Sequence, residues 1–188
     1  MRLTTYTDYS LRVLIFLTLK HRIGEKATIP EMADAYGVSR NHLMKIVHHL
    51  SRGGFIQTSR GRAGGTALAR PPESISIGEV VRYAEDDFSI VECQVEGVQS
   101  DCAVWQACNL KRGFRRALDA FMMELDKMTL VDAVTSTTVA SSLLGVSSER
   151  LRSIPVVSAP AIPIKTAKGG KSPVTEVRRT SSARKSGR

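Results

Sequence analysis

The sequence has no hydrophobic run long enough to cross a membrane. Its longest apolar stretch near the N-terminus, residues 13–19, includes a threonine, and a spanning helix needs about 20 apolar residues. No small-residue cleavage site of a secretory signal follows it. We therefore expect a cytoplasmic protein without a membrane partner.

Catalytic signatures are also missing. The sequence contains no dinucleotide-binding glycine fingerprint, no paired-carboxylate site and no nucleophile motif with its histidine and acid. We expect a protein that is not an enzyme.

Acidic residues are scarce at both ends of the 188-residue chain. Residues 1–70 hold 11 Lys/Arg against 4 Asp/Glu, a net charge of +7, and residues 147–188 hold 10 against 2, a net charge of +8. Residues 71–146 are acidic instead, with 6 against 12. Basic segments favour a polyanionic partner, and nucleic acid is the first to consider.

The N-terminal segment predicts a helix-turn-helix. Apolar residues at helical spacing indicate a first helix over residues 7–21. Thr28 and Glu31 form the pattern of a capping box, which starts a short second helix. A tight turn with glycine follows, and Ser39 caps a third helix that runs to about residue 51.

The third helix predicts one buried and one polar face. Leu43, Ile46, Val47 and Leu50 share one side of the helix. The opposite side carries amide, imidazole and ammonium groups, which contact base edges and phosphates in DNA complexes. The expected DNA-binding residues are Ser39, Arg40, Asn41, His42, Lys45 and His48. Taken alone, such a face also fits an ordinary solvated helix surface.

Two short strands, residues 55–58 and 66–69, predict a β-hairpin wing after this helix. Arg60 and Arg62 lie at its tip and are further expected DNA contacts. The glycines between the strands also suit a phosphate cradle, but no helix N-terminus follows to complete one.

The remaining helices are a short one at residues 76–84 and a long one from residue 111 to about 134. The long helix has an apolar seam suited to pairing with a second copy, with packing on its own domain as the alternative. The seam consists of Phe114, Ala117, Leu118, Phe121, Leu125 and Met128. Beyond residue 145, proline and polar residues without periodicity predict disorder.

The predicted fold class is mainly α with a small β wing, a winged helix-turn-helix with a long dimerisation helix and a cysteine-bearing loop. The predicted segments are the DNA-binding domain at residues 1–72, the connecting helix and loop at 73–110, the dimerisation helix at 111–135, and a basic disordered tail at 147–188. The tail either adds DNA affinity or is an inert linker.

Cys93, Cys102 and Cys108 lie within sixteen residues and contain no C-x-x-C pair. The spacing is not that of a zinc ribbon or a thioredoxin-like site. Soft thiolates select zinc or an iron–sulfur cluster, and on spacing alone a cluster, zinc and unligated thiols all remain open. A fourth ligand would have to come from elsewhere.

Four segments together resemble the Rrf-type winged-helix regulators. They are the N-terminal residues 1–12, residues 39–43, residues 60–65 and the three-cysteine loop, and the resemblance covers roughly residues 1–135. It implies an iron–sulfur cluster, 4Fe-4S or 2Fe-2S, on the three cysteines. In the nitric-oxide-sensing members, an aspartate from the other subunit is the fourth ligand, and Asp8 matches its position. Without the resemblance, Asp8 is explained as an acid at a helix N-terminus.

The resemblance is greatest to the nitric-oxide-sensing repressors of this family. It implies a homodimer that binds a double-stranded DNA operator and releases it when nitric oxide nitrosylates or removes the cluster. An iron-responsive or iron–sulfur-status regulator of the same family is the alternative, although Lys111 stands where the latter have a histidine. From other classes, an iron–sulfur electron carrier and a zinc- or thiol-switched DNA-binding protein also remain open.

Overall fold

The computed structural model describes residues 2–61, 64–95, 102–134 and 136–146. Arg62 and the expected basic tail therefore lie outside the described residues. The elements are α1 (Thr5–Arg22), α2 (Ile29–Tyr36), α3 (Arg40–Arg52), β1 (Ile56–Ser59), β2 (Gly65–Leu68), α4 (Ile77–Ala84), α5 (Leu110–Asp126) and α6 (Thr137–Leu143), with 3-10 turns at Pro72–Ser74 and Glu92–Gln94. The predicted fold class, mainly helical with a small antiparallel wing, is confirmed. Within these ranges no helix combines the length and the apolar character that crossing a membrane requires.

Side-chain caps start the helices of the N-terminal domain. The Thr28 hydroxyl accepts from the backbone N–H of Glu31, whose carboxylate accepts in turn from the N–H of Thr28 at 2.6 Å, so the predicted capping box is present. Ser39 caps α3 as expected. Helix α1 begins two residues earlier than expected because Thr4 accepts from the N–H of Thr7.

The core of the N-terminal domain lies between α1 and α3. The four residues predicted for the buried stripe of α3 are all buried, as expected from their spacing. Helix α1 is buried along most of its length, with Val13, Leu14 and Leu19 fully inaccessible. This packing fixes the position of α3 relative to α1, and it leaves the opposite side of α3 in solvent.

The wing is a two-stranded antiparallel ribbon in which Ile56 pairs with Leu68 and Ser59 with Gly65. Both strands lie within one residue of their expected positions. Ala27 adds a bridge that the sequence did not indicate: its N–H donates to the carbonyl of Thr66, and its carbonyl accepts from the N–H of Thr66. The bridge attaches the wing to the segment between α1 and α2.

Helix α5 ends at Asp126, eight residues before the expected end near residue 134. The backbone beyond it is used in non-local pairing: the N–H of Ile77 donates to the carbonyl of Met128, and the N–H of Leu130 donates to the carbonyl of Ile75. These bonds replace the helical ones, and the expected helix over residues 111–135 is therefore too long.

The C-terminal half of α5 packs on its own domain, mainly against α4. Met122 is buried, and the expected seam residues Leu118, Phe121, Leu125 and Met128 contact the core. The guanidinium of Arg82 on α4 donates two hydrogen bonds, of 2.6 and 2.5 Å, to the Asp126 carboxylate. For this half of the helix, the alternative of packing on its own domain is the one observed.

Helix α6 was not expected from the sequence. It is attached to the end of α1 by a hydrogen bond of 3.1 Å from Arg22 Nη1 to the Thr137 hydroxyl. Ser141 and Val146 are buried, so residues 136–146 belong to the fold.

Candidate functional site

The outer face of α3 is exposed and polar. Asn41, Lys45 and His48 are all exposed on it, as the spacing predicted. Arg40 is exposed too, with its guanidinium 3.9 Å from the Asp34 carboxylate, a distance that leaves the charge available to a phosphate. Met44, half-exposed on this side, is an apolar group that the sequence reasoning missed. Amide, ammonium and methyl groups together suit the edges of bases and the backbone between them.

The side chains of His42 and Ser39 do not point outward with those of the outer face. The His42 ring is half-buried against α1, where its centroid lies 5.2 Å from that of Tyr9. Its Nε2 is buried, with no hydrogen-bond partner among the described residues. The Ser39 hydroxyl is engaged as the cap of α3. The DNA contacts expected for these two residues stay predictions.

The wing presents Arg60 to solvent at its tip. Lys26, between α1 and α2, adds a cation at the base of the wing, where its Nζ donates to the Ser59 hydroxyl at 2.9 Å. Sequence reasoning missed Lys26 because only the Ala27 bridge brings it to the wing. Arg62 lies outside the described residues.

Asp8 lies in the first turn of α1 with 48% of its side chain exposed. Both carboxylate oxygens bind Arg12, Oδ1 at 3.1 Å from Nε and Oδ2 at 2.8 Å from Nη2. The hydrogen bond to Asp8 raises the pKa of Arg12. The guanidinium also lies over the ring of Tyr9, 5.5 Å from its centroid. The Asp8 carboxylate is thus accessible to solvent, and so is the Arg12 side chain that binds it.

The cysteine loop lies beside an open groove between α4 and the N-terminal half of α5. Cys93 and Cys108 are half-buried and Cys102 is exposed. Cys93 lines the groove together with Trp105 and Arg115. Lys111 places its Nζ 3.7 Å from the centroid of the Trp105 ring, a close cation–π contact.

The donor set fits a soft metal centre by its chemistry, since three thiols lie within sixteen residues of the sequence. In residues 2–61, 64–95, 102–134 and 136–146, no three side chains of His, Cys, Asp or Glu are grouped closely enough to hold one metal ion. The structure does not bring Asp8 and the three cysteines together within one chain. The fit therefore depends on the types of donor and on their spacing.

Comparison with known proteins adds sequence relatives. The sequence pattern of the Rrf2 family, described as an iron-dependent transcriptional regulator, matches residues 3–136. The chain is 48% identical over 134 residues to the HTH-type transcriptional regulator NsrR of Bacillus licheniformis, across 71% of this chain and 92% of that protein. It is 50% identical over 134 residues to NsrR of Bacillus subtilis, across 71% and 90%.

Solved structures have the same fold. CymR, the global cysteine regulator of B. subtilis, superimposes with a TM-score of 0.57 at 28% identity, over 71% of this chain and 95% of that chain. T. potens IscR gives a TM-score of 0.55 over 71% and 86%, and at 22% identity it supports the fold alone. The fold, the sequence match and the relatives agree with the resemblance seen in the sequence: this chain belongs to the Rrf2 family of transcriptional regulators.

Proposed function

We propose that this protein is a homodimeric repressor that binds a double-stranded DNA operator and releases it in response to nitric oxide. The observation that carries the proposal is the packing of α1, with Asp8 in its first turn, directly on the recognition helix α3, whose outer face is exposed beside a basic wing. A ligand of Asp8 and a DNA operator would thus act on two helices in direct contact.

For DNA binding, Asn41 offers an amide that pairs with an adenine edge, and Lys45 offers a charge for a phosphate or guanine. Arg60 on the wing suits the backbone or the minor groove. Two copies of α3 would read two half-sites about 34 to 36 Å apart. Their spacing decides the affinity, so a movement of α1 that shifts α3 would weaken operator binding.

Dimerisation is supported by the part of α5 that does not pack on its own domain. Leu110 is 62% exposed, and Phe114, about one turn later on the same side of the helix, is half-buried. Large apolar side chains exposed along one helix are typical of interfaces. The N-terminal half of α5 is therefore the surface that we assign to the second subunit.

For sensing, Cys93, Cys102 and Cys108 of one subunit and Asp8 of the other would hold an iron–sulfur cluster. When bound, the cluster supplies iron that reacts with nitric oxide. A carboxylate is a harder and more weakly held ligand than a thiolate, so Asp8 would be the ligand most readily replaced. Once replaced, its carboxylate would bind Arg12 again, as it does in the structure. A coupling of about 1 to 3 kcal/mol between the two states would change operator affinity about 5- to 150-fold.

The test is operator binding by anaerobically purified protein before and after stoichiometric nitric oxide. The proposal expects a brown protein with broad absorption near roughly 400 nm, tight binding before the addition and weak binding after it. Asp8→Asn keeps a polar group in the first turn of α1 but is a poor iron ligand, so it should bind operator weakly while the three cysteines keep the cluster. Normal repression and a normal nitric oxide response in this variant would exclude Asp8 as the fourth ligand.

An iron-responsive regulator is the second candidate, because the family is described as iron-dependent. It predicts that iron chelation releases the operator whereas nitric oxide on the loaded protein does not. A colourless protein that contains zinc would instead support a zinc- or thiol-based switch on the same fold.

A further inference from the structure

Four aromatic side chains fill the contact between the start of α1 and the recognition helix. Tyr6 and Tyr9 come from α1, and His42 and His49 from α3. Their ring centroids are 5.2 Å apart for Tyr9 and His42, 5.4 Å for Tyr6 and His49, and 6.5 Å for Tyr6 and His42, all in edge-to-face arrangement. We call these four residues the ring cluster. His49 lies seven positions after His42, about two helical turns, so both face α1.

The two histidines are held differently. His49 Nε2 lies 3.3 Å from the carbonyl oxygen of Tyr83 on α4, and the Tyr83 hydroxyl donates to the carbonyl of His49 at 2.9 Å. The buried Nε2 of His42 has no such partner among the described residues. Burying a nitrogen without a hydrogen-bond partner costs free energy. The contacts with the tyrosine rings must therefore hold His42 in this position. The position of the N-terminal end of α3 therefore depends on its contact with α1.

Asp8 reaches this end through two contacts. Its carboxylate holds Arg12, and the Arg12 guanidinium lies 5.5 Å from the centroid of Tyr9, the ring that packs on His42. When Asp8 takes another ligand, Arg12 loses its carboxylate partner. The guanidinium then keeps only its contacts with the rings of Tyr9 and Tyr36, the latter 6.0 Å away, so a shift of Arg12 between these two rings moves the Tyr9 ring.

We propose that the ring cluster transmits the state of the Asp8 carboxylate to the recognition helix, with Tyr9 and His42 as the positioning residues. The inference rests on the proposed function in that Asp8 is the group that changes state. A merely structural role would make these rings stabilise both states of Asp8 alike. A transmitting role makes the effect of Asp8 on the operator depend on the rings.

A double-mutant cycle on the full-length chain separates these roles. Operator Kd is measured for wild type, Asp8→Ala, Tyr9→Ala and the double variant, in anaerobically purified protein and again after iron chelation. We expect Asp8→Ala to change Kd about 5- to 150-fold in the wild-type background and less than about twofold in the Tyr9→Ala background. Tyr9→Phe keeps the ring and should restore the full effect. His42→Ala breaks the same contact from α3 and serves if Tyr9→Ala does not fold.

Leu19→Ala is the matched control, because Leu19 is fully buried on α1 but lies at the opposite end of that helix from the ring cluster. It should lower stability and leave the effect of Asp8→Ala intact. An independent readout is the NMR signal of the Cε1–H groups of His42 and His49 in the apoprotein. Asp8→Ala should shift the His42 signal in wild type and in Leu19→Ala, and leave it unmoved in Tyr9→Ala.

The outcomes separate the two proposals. An effect of Asp8→Ala that persists undiminished in Tyr9→Ala overturns the ring-cluster proposal and leaves the proposed function standing. No effect of Asp8→Ala in wild type, on Kd or on the His42 signal, also overturns it. Wild-type binding that ignores nitric oxide, combined with a non-additive cycle, overturns the proposed function and supports the ring cluster.

Discussion

The N-terminal domain and the cysteine loop differ in what holds them. Each of α1 to α4 contributes buried side chains to one core. In the loop, the described residues Val104 and Trp105 are exposed, as is Leu110 at the start of α5. The part that would bind DNA is therefore arranged by its own packing, whereas the apolar residues described next to the thiols are exposed and contribute little packing. A ligand can position such a loop at a small cost in lost packing.

The largest effect should come from truncating an apolar side chain in each of the two regions. Leu50→Ala, at a fully buried position of α3, should lower the free energy of unfolding by about 2 to 5 kcal/mol. Val104→Ala, at an exposed position of the cysteine loop, should change it by less than about 0.5 kcal/mol. Urea unfolding of the two variants measures both. Equal losses would contradict the contrast between the regions.

The next effect concerns DNA contacts, which should divide within the N-terminal domain. Asn41→Ala should relax sequence preference and Lys45→Ala should weaken binding, each by about 1 to 3 kcal/mol. Arg60→Ala should weaken all sequences alike and reduce the salt dependence. Fluorescence anisotropy with operator and scrambled DNA at several salt concentrations distinguishes the two. Unchanged operator affinity in both α3 variants would remove the outer face from the interface.

The basic residues 147–188 should behave as a third region. Removing them after Val146, which is buried and must stay, should lower non-specific DNA affinity and flatten its salt slope. Dimerisation and the metal content should be unaffected. An unchanged slope in the truncated protein would identify the segment as an inert linker.

The smallest effect is acid sensitivity in the turn that follows α5. The backbone N–H of Thr129 and its hydroxyl donate to the Asp132 carboxylate and lower its pKa. A pKa lowered by folding gives stability above the unfolded value, about 3.9, which is lost as pH falls through the folded value. Asp132→Asn should remove this pH-dependent part of the free energy of unfolding. It amounts to no more than about 0.5 kcal/mol, because the carboxylate is accessible to solvent. Unfolding at pH 6 and pH 3 measures it, and the same pH dependence in wild type and Asp132→Asn would contradict the prediction.

Local signals made the N-terminal domain predictable from its sequence. Thr28, Glu31 and Ser39 name the starts of two helices because their side chains bond backbone groups only three residues away. The buried stripe of α3 follows from helical spacing alone. The end of α5 was not predictable in this way, because the carbonyl of Met128 bonds to Ile77, about fifty residues earlier in the chain.

The candidate site was predictable by residue type and less so by position. The exposure of Asn41 and Lys45 follows from the helical period. Periodicity did not separate His42 from them, since only the packing of Tyr9 shows that this ring turns toward α1. Lys26 reaches the wing through the Ala27 bridge, which no local pattern announces.

The attachment of α5 at one end has a geometric consequence for the thiols. Arg82 grips Asp126, and Gly78 lies so close to Asp126 that an added Cβ would collide with it. The helix extends 17 residues from this joint, a lever arm of about 26 Å. A rotation of about 10° at the joint would swing the Leu110 end by roughly 4 to 5 Å, more than the length of a carbon–sulfur bond. A methyl group at Gly78 that turned α5 by this angle would displace Cys108 without touching it.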